Sequence, residues 1–276
     1  LRAAVVQLNS TNEKAKNLGT AERLVRAAAA DGAELIALPE KWNLLAGGEE
    51  LLAGAEPLDG PTLSAARSWA RELGIYLLAG SIAEQGSGQK AFNTSVLIGA
   101  DGEDLAVYRK IHMFDVDAGG VSYRESDHEE PGEEIVTAPL ADTTVGLSIC
   151  YDLRFPELYR ILAVRGARIL TVPSAFTLAT GRDHWEVLLR ARAIESQAFV
   201  LAPNQLGEAP PHFSSNGRSM ILDPWGVTLA TAPDEECFAV AELDFAAQDR
   251  VRESLPSLAN RRPATYVWPQ LTEAHA

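Results

Sequence analysis

The chain reads as a single α/β domain in which mixed sheets are covered by helices. Three observations predict this. Short apolar runs ending at Gly, Pro or a charge alternate with helical patterns from one end to the other. Hydrophobic residues make up 46% of the 276 residues, enough for one large core. No Pro/Gly/Ser-rich linker interrupts the cadence.

The opening "AAVVQL" reads as a buried strand rather than the basic, apolar and small-residue pattern of a cleavable signal. Over "NEKAKNLGTAERLVRAAAADG", Leu18, Ala21, Val25 and Ala28 recur at helical spacing, and Gly32 is the stop. "ELIALPE" is a second short strand, broken by Pro39. Pro61 opens and Gly74 closes a helix with the stripe Leu63, Ala66, Ala70 and Leu73. "IYLLAGSIAE" reads as one strand, and "FNTSVLIGADGEDLAVYRKIH" as a hairpin turning at Asp101 and Gly102. Residues 113–138 have little periodicity and much Asp, Glu and Gly, so a long ordered loop is expected. The rhythm then resumes: strand 144–150, a helix from Pro156, strand 167–173, helix 183–196, strand 198–204, a hairpin around Pro224 and Gly226, and the strand "CFAVAEL".

Lys and Arg number 24 against 38 Asp and Glu, a formal net charge of −14. Such a surface repels phosphate backbones, so no nucleic-acid partner is expected. No apolar run has the length of a membrane span, so no membrane partner is expected either. Two cysteines, Cys150 and Cys237, cannot build a disulfide framework or a four-cysteine zinc site, and a reducing, cytoplasmic setting is expected. G-x-S-x-G, dinucleotide, P-loop and H-E-x-x-H patterns are missing from the sequence, and its five histidines are scattered. No metal or cofactor is expected.

Cys150 ends the apolar run "VGLSIC", and Pro156 opens a helix just after it. Open α/β sheets bind ligands at the carboxyl ends of their strands. A cysteine there is a nucleophile or a buried structural residue, and position alone leaves the two readings even. Glu40 ends "ELIALPE" and Lys110 ends "LAVYRK". A carboxylate and an ammonium at the edge of a core are costly unless paired. Each alone fits a solvated strand end; together with Cys150 they predict one cluster.

The stretches "LPEKW", "YRKIHMFDVD", "GLSICYDLRFPELYR", "PSAFTLATGRDHWEVLLRARAIESQAFV" and "GRSMILDPWG" closely resemble the nitrilase, or carbon–nitrogen hydrolase, superfamily. The likeness covers nearly the whole chain and is greatest to the Nit branch of deaminated glutathione amidases and omega-amidases. It implies a nitrilase-like four-layer α-β-β-α sandwich. Residues 1–260 would form a single carbon–nitrogen hydrolase domain. Residues 261–276, with Tyr266 and Trp268, would be a C-terminal arm packing on a partner subunit of a homodimer or larger homo-oligomer.

The resemblance maps the family's catalytic residues onto Glu40, Lys110 and Cys150. A second glutamate falls at Glu125, with Glu129, Glu130, Glu133 and Glu134 as rivals in the same acidic stretch. The backbone amide of Tyr151 would be an oxyanion donor. Arg154, His112, Phe114, Phe176 and His184 are the expected substrate-binding residues, while Trp185 and Trp225 are expected in the core or an interface. The implied reaction cleaves a non-peptide C–N bond of a small carboxylate-bearing amide through a thioester, releasing ammonia; water is the second substrate. Arg154 would take the substrate carboxylate, or else brace its loop against Asp152 or Glu157. Deaminated glutathione amidase-like activity is the leading expectation. Omega-amidase, N-carbamoyl amino-acid amidase and a catalytically inactive scaffold subunit stay open as alternatives.

Overall fold

The strand Arg2–Gln7 shows how the layers stack in the computed structural model, which describes residues 1–86, 88–211 and 213–268. Successive side chains of a strand point to opposite faces. Ala3 and Val5 enter a core shared with a second sheet, whereas Ala4 and Val6 pack against the helices Lys14–Ala30 and Pro61–Leu73. Both faces are buried, which is why the strand is apolar from Ala3 to Val6.

Its sheet has seven strands. The order is Cys237–Glu242, Arg2–Gln7, Leu35–Ala37, Tyr76–Leu78, Ala91–Ile98 and Ile82–Gln85, with Asp104–Arg109 also paired to Ala91–Ile98. The second sheet runs Thr228–Thr231, Met220–Leu222, Phe199–Ala202, Ile169–Thr171, Thr143–Leu147 and Thr137–Leu140. Each sheet has three parallel strands flanked by antiparallel ones. Helices Pro156–Val164 and Leu178–Ser196 bury Leu158, Leu162, Trp185 and Leu189 in the same core as the second sheet. The layers are therefore helix, sheet, sheet, helix, the architecture expected from the sequence.

Local differences have physical causes. "IYLLAGSIAE" is two strands, Tyr76–Leu78 and Ile82–Gln85, broken at Gly80. Gly80 has a φ of +44°, and a Cβ there would lie 2.0 Å from the Pro39 carbonyl oxygen. Glycine lets the two chain segments touch. The stretch 113–138 is not a bare loop. It forms the hairpin Asp115–Ala118 and Val121–Arg124, the turn Glu125–Asp127 and the start of the strand Thr137–Leu140. Gly119 and Gly120 take φ of +60° and +80° at the hairpin's two-residue turn. The helix expected from 183 begins already at Leu178. Trp185 is buried in the core, and Trp225, 58% exposed, lies outside it, which leaves an interface as the expectation for Trp225. Of the expected arm, the described part 261–268 holds the exposed side chains Tyr266 and Trp268, and 269–276 lies outside the described residues.

The strand before Cys150 ends at Leu147, and Cys150 instead opens a one-turn helix, Cys150–Arg154. Its φ is +45°, a costly conformation for a residue with a Cβ. Two anchors hold it. The Cys150 amide donates to the Pro173 carbonyl at 2.9 Å. Asp152, fully buried, accepts from the Ile149 amide at 2.8 Å, the Tyr108 hydroxyl at 2.6 Å and the His112 amide at 3.2 Å, and meets His112 Nδ1 at 2.7 Å.

Asp152→Ala strands those donors in a dry core. Urea unfolding should record a loss of roughly 3 kcal/mol or more, because each unpaired buried donor costs about 1–3 kcal/mol. Gly80→Ala should cost about 1–3 kcal/mol from backbone strain and shift the same unfolding midpoint downward. A midpoint like that of the parent would show that the neighbouring carbonyls give way freely.

Candidate active site

The chain leaves four strands in succession at one end of the two sheets. Glu40 follows Leu35–Ala37, Lys110 follows Asp104–Arg109, Cys150 follows Thr143–Leu147, and Ala175 follows Ile169–Thr171. The Lys110 ammonium sits where they meet, 3.1 Å from Glu40 Oε1 and 2.9 and 2.7 Å from the two oxygens of Glu125. Lys110 is 1% exposed and Glu40 3%.

Each carboxylate is oriented by further donors. Asn93 Nδ2 donates to Glu40 Oε1 at 2.8 Å, and the Ala175 amide to Oε2 at 2.8 Å. The Phe114 amide donates to Glu125 Oε2 at 2.7 Å. Glu125 is presented by the helical turn that follows the hairpin, so the irregular stretch 113–138 delivers a side chain to the strand ends. Of the acidic rivals in this stretch, Glu125 is the one on Lys110, while Glu129 sits one ammonium further away, on Lys41 at 2.8 Å.

Charge in this dry pocket follows from its neighbours. Burial alone would lower the pKa of Lys110, but the charges of Glu125 and Glu40 overcome it and hold the ammonium well above the usual lysine range. Burial opposes ionisation of Glu125 too, yet Lys110 and Lys41 hold its carboxyl far below the usual carboxylate range. Burial pushes the Cys150 thiol well up; Glu40, within hydrogen-bonding reach of it, adds to the effect, and Lys110 opposes it. The resting cluster is therefore a thiol, an ammonium and carboxylates. A proton must leave the sulfur before it can act as a strong nucleophile.

These groups line one cavity of about 480 Å³, a normal size for a small-molecule site. Phe114, Tyr123, Tyr151 and Phe176 give it an aromatic wall, and Arg154 lies in it. The Arg154 guanidinium stands 5.2 Å from the centre of the Phe176 ring, and its Nη1 meets His184 Nδ1 at 3.2 Å. It does not brace its loop against Asp152 or Glu157: Asp152 faces Tyr108, Ile149 and His112, and no ion pair of Arg154 occurs among the described residues. His112 and His184, expected to line or brace the pocket, stand outside the cavity lining. His112 is stacked on Phe155 with ring centroids 3.6 Å apart and bonded to Asp152, and His184 is behind Arg154. They brace the wall.

Sequence reasoning missed Asn93, Lys41 and the role of Asp152 as an anchor. Asn93 had a signal, since a buried Asn within the strand "FNTSVLIG" needs a partner. Lys41 had none, because a charge after a strand end is normally solvated. Here φ of +51° turns it inward to Glu129 and Glu125.

The sequence pattern of the family described as "Carbon-nitrogen hydrolase" matches residues 2–253. The deaminated glutathione amidase of Mus musculus is 43% identical over 272 residues, covering 95% of this chain and 84% of that protein. The one from Synechocystis sp. (strain PCC 6803 / GT-S) is 41% identical over 264 residues, covering 94% and 97%. The omega-amidase NIT2 of Homo sapiens is 37% identical over 266 residues, covering 96% of each. Among solved structures, the C. elegans NitFhit protein superposes with a TM-score of 0.91 at 36% identity, covering 96% of this chain and 66% of that one. Saccharomyces cerevisiae Nit3, a member of the nitrilase superfamily, gives 0.86 at 29% identity, covering 96% and 97%. The chain belongs to the carbon–nitrogen hydrolase family, in the Nit branch of the nitrilase superfamily, and is an amidase acting on C–N bonds other than peptide bonds.

Proposed function

We propose that the enzyme hydrolyses a small carboxylate-bearing amide through a thioester on Cys150, a reading in keeping with relatives named deaminated glutathione amidase. The observation that carries this reading is the buried Lys110 ammonium bonded to two carboxylates beside a thiol. As sulfur attacks the carbonyl carbon, its proton passes to Glu40. The oxyanion forms between Lys110 and the Tyr151 amide, in a site that excludes water and magnifies both interactions. The C–N bond then breaks, and the nitrogen leaves with the proton from Glu40 as ammonia. Water gives a proton to Glu40 and attacks the thioester, and the departing sulfur takes that proton back. Glu125 holds Lys110 in place throughout.

Arg154 is the group for the substrate carboxylate. It is on the cavity wall, its planar donors suit a carboxylate, and among the described residues its one polar side-chain contact is with His184. In a chain of formal charge −14, an anionic substrate needs such a local cation. Turnover requires Cys150 as a free thiol, in keeping with a reducing, cytoplasmic setting.

The working form is a homodimer. Ile161 and Val164 on one outer helix, Val187 and Ile194 on the other, and Tyr266 and Trp268 beyond them leave large apolar side chains exposed. Light scattering at micromolar concentration should give a dimer or larger; a monomer alone would remove this part of the reading.

Cys150→Ala should abolish ammonia release from succinamate while the protein stays folded, and retained release would refute the nucleophile. Lys110→Met should lower turnover by about 10²–10³ or more, the usual cost of one oxyanion donor. Lys110→Arg should not restore it, since the guanidinium fork differs in size and geometry. Arg154→Met should lower kcat/KM for succinamate about ten- to a hundredfold, mostly in KM, and leave neutral butyramide nearly untouched. Equal losses on both amides would reduce Arg154 to a brace.

A further inference from the structure

The cavity wall carries an alternating row of charges. Glu40 meets Lys110 at 3.1 Å, Lys110 meets Glu125 at 2.7 Å, Glu125 meets Lys41 at 3.4 Å, and Lys41 meets Glu129 at 2.8 Å. The last member is not a stray surface acid: Glu129 is 1% exposed. Its segment is pinned, with the Glu129 amide on the Glu125 carbonyl at 2.9 Å, the Ala91 amide on His128 at 3.0 Å and the Glu130 amide on Ala91 at 2.9 Å. Lys41 is equally fixed, by its left-handed backbone and by its amide on Ser81 Oγ at 3.1 Å.

With every member ionised, three carboxylates face two ammonium groups and a neutral thiol. One negative charge is uncompensated in a dry site, close to where an oxyanion must develop. Glu129 Oε2 takes the Lys41 ammonium, but Oε1 is buried and has no donor among the described residues. The Glu125 carboxylate is within hydrogen-bonding reach of Glu129. A single proton on Oε1 would answer both problems: its O–H could donate to Glu125, and the row would become neutral.

We propose that Glu129 is a positioning residue of the hydrolysis, a neutral carboxylic acid that holds Glu125 and Lys41 so that Glu125 stays fixed on Lys110. The inference rests on the catalytic reading above and goes beyond it. The charges facing Glu129 are Lys41, Glu125 and, more distantly, Lys110. Other neighbouring charges are engaged elsewhere: Lys90 on the Ser126 carbonyl, Arg109 on Glu84. The His128 ring lies against Gly48. Burial pushes the Glu129 carboxyl up to about 8; Lys41 opposes the shift and Glu125 reinforces it. Above that pH the row acquires a negative charge that repels the oxyanion, so kcat/KM should fall.

The test compares Glu129→Gln with Glu129→Leu, using succinamate. Gln is permanently neutral and can both accept from Lys41 and donate to Glu125. It should lower kcat only about threefold at pH 7 and move the alkaline fall of kcat/KM upward by about one pH unit or more. Leu can do neither and should lower kcat more than about tenfold with KM little changed. Stability provides a second readout. A carboxyl raised in the folded state binds its proton more tightly there. Its contribution is full below the unfolded pKa of about 4.3, and is lost as pH rises from there through about 8. Glu129→Gln should remove that part of the decline in melting temperature. An unchanged alkaline limb and melting profile in Glu129→Gln, or equal activity in the Gln and Leu variants, would overturn the proposal. Such a result in an enzyme still silenced by Cys150→Ala would leave the catalytic reading intact.

Discussion

The arrangement of the site depends on one ammonium group. Lys110 Nζ is buried and bonded to carboxylates that come from different parts of the chain, Glu40 across 70 residues and Glu125 across 15. An ammonium in a low-dielectric interior is tolerable only with such partners, and each partner is tolerable only because of it. The group therefore ties the strand end at Glu40 to the turn at Glu125, and it sets the electrostatics that keep a neutral thiol alongside. Removing either carboxylate leaves more than a lost contact, because a buried charge is then left with half its compensation.

The second requirement is rigidity of the turn that carries the thiol. A backbone at φ +45° survives because Asp152, three hydrogen-bond donors and the Pro173 carbonyl determine it from several directions. The result is a sulfur held at the mouth of the second sheet's parallel strands, facing Glu40 and Lys110, with the next amide in the chain, that of Tyr151, following it directly. Strain at this point and pairing at Lys110 are complementary: one fixes the sulfur, the other fixes the charges around it.

Much of this was legible in the sequence. Mixed sheets covered by helices followed from apolar runs alternating with helical stripes, and the four layers from the family resemblance; a strand buried on both faces must be largely apolar, as Arg2–Gln7 is from Ala3 to Val6. Glu40, Lys110 and Cys150 stood out because each lies at or just beyond the end of such a run, where a charged or reactive group must find a partner. The hairpin at 115–124 escaped notice because strands of four residues are too short to establish a period. Lys41 and Glu129 were illegible for another reason. Nothing in local sequence distinguishes a charge turned inward by a positive φ from one in solvent, and their pairing spans 88 residues. Sequence alone leaves open whether His112 and His184 line or brace the pocket, and tertiary contacts put them behind the wall.

The strand Cys237–Glu242 has a consequence for how the molecule is made. It pairs antiparallel with Arg2–Gln7 along its full length, and Gln7 also donates to the Pro233 and Glu235 carbonyls. Arg2–Gln7 lies inside the seven-stranded sheet, so one of its edges stays open until the ribosome has delivered residues near 240. During synthesis that edge is a row of unpaired amides and carbonyls on an apolar strand, the kind of surface that recruits other nascent chains. Closure joins two strands far apart in sequence late, after the loops that carry Lys110, Glu125 and Cys150 have been made. The pocket therefore takes its final geometry only after the strand Cys237–Glu242 has been made.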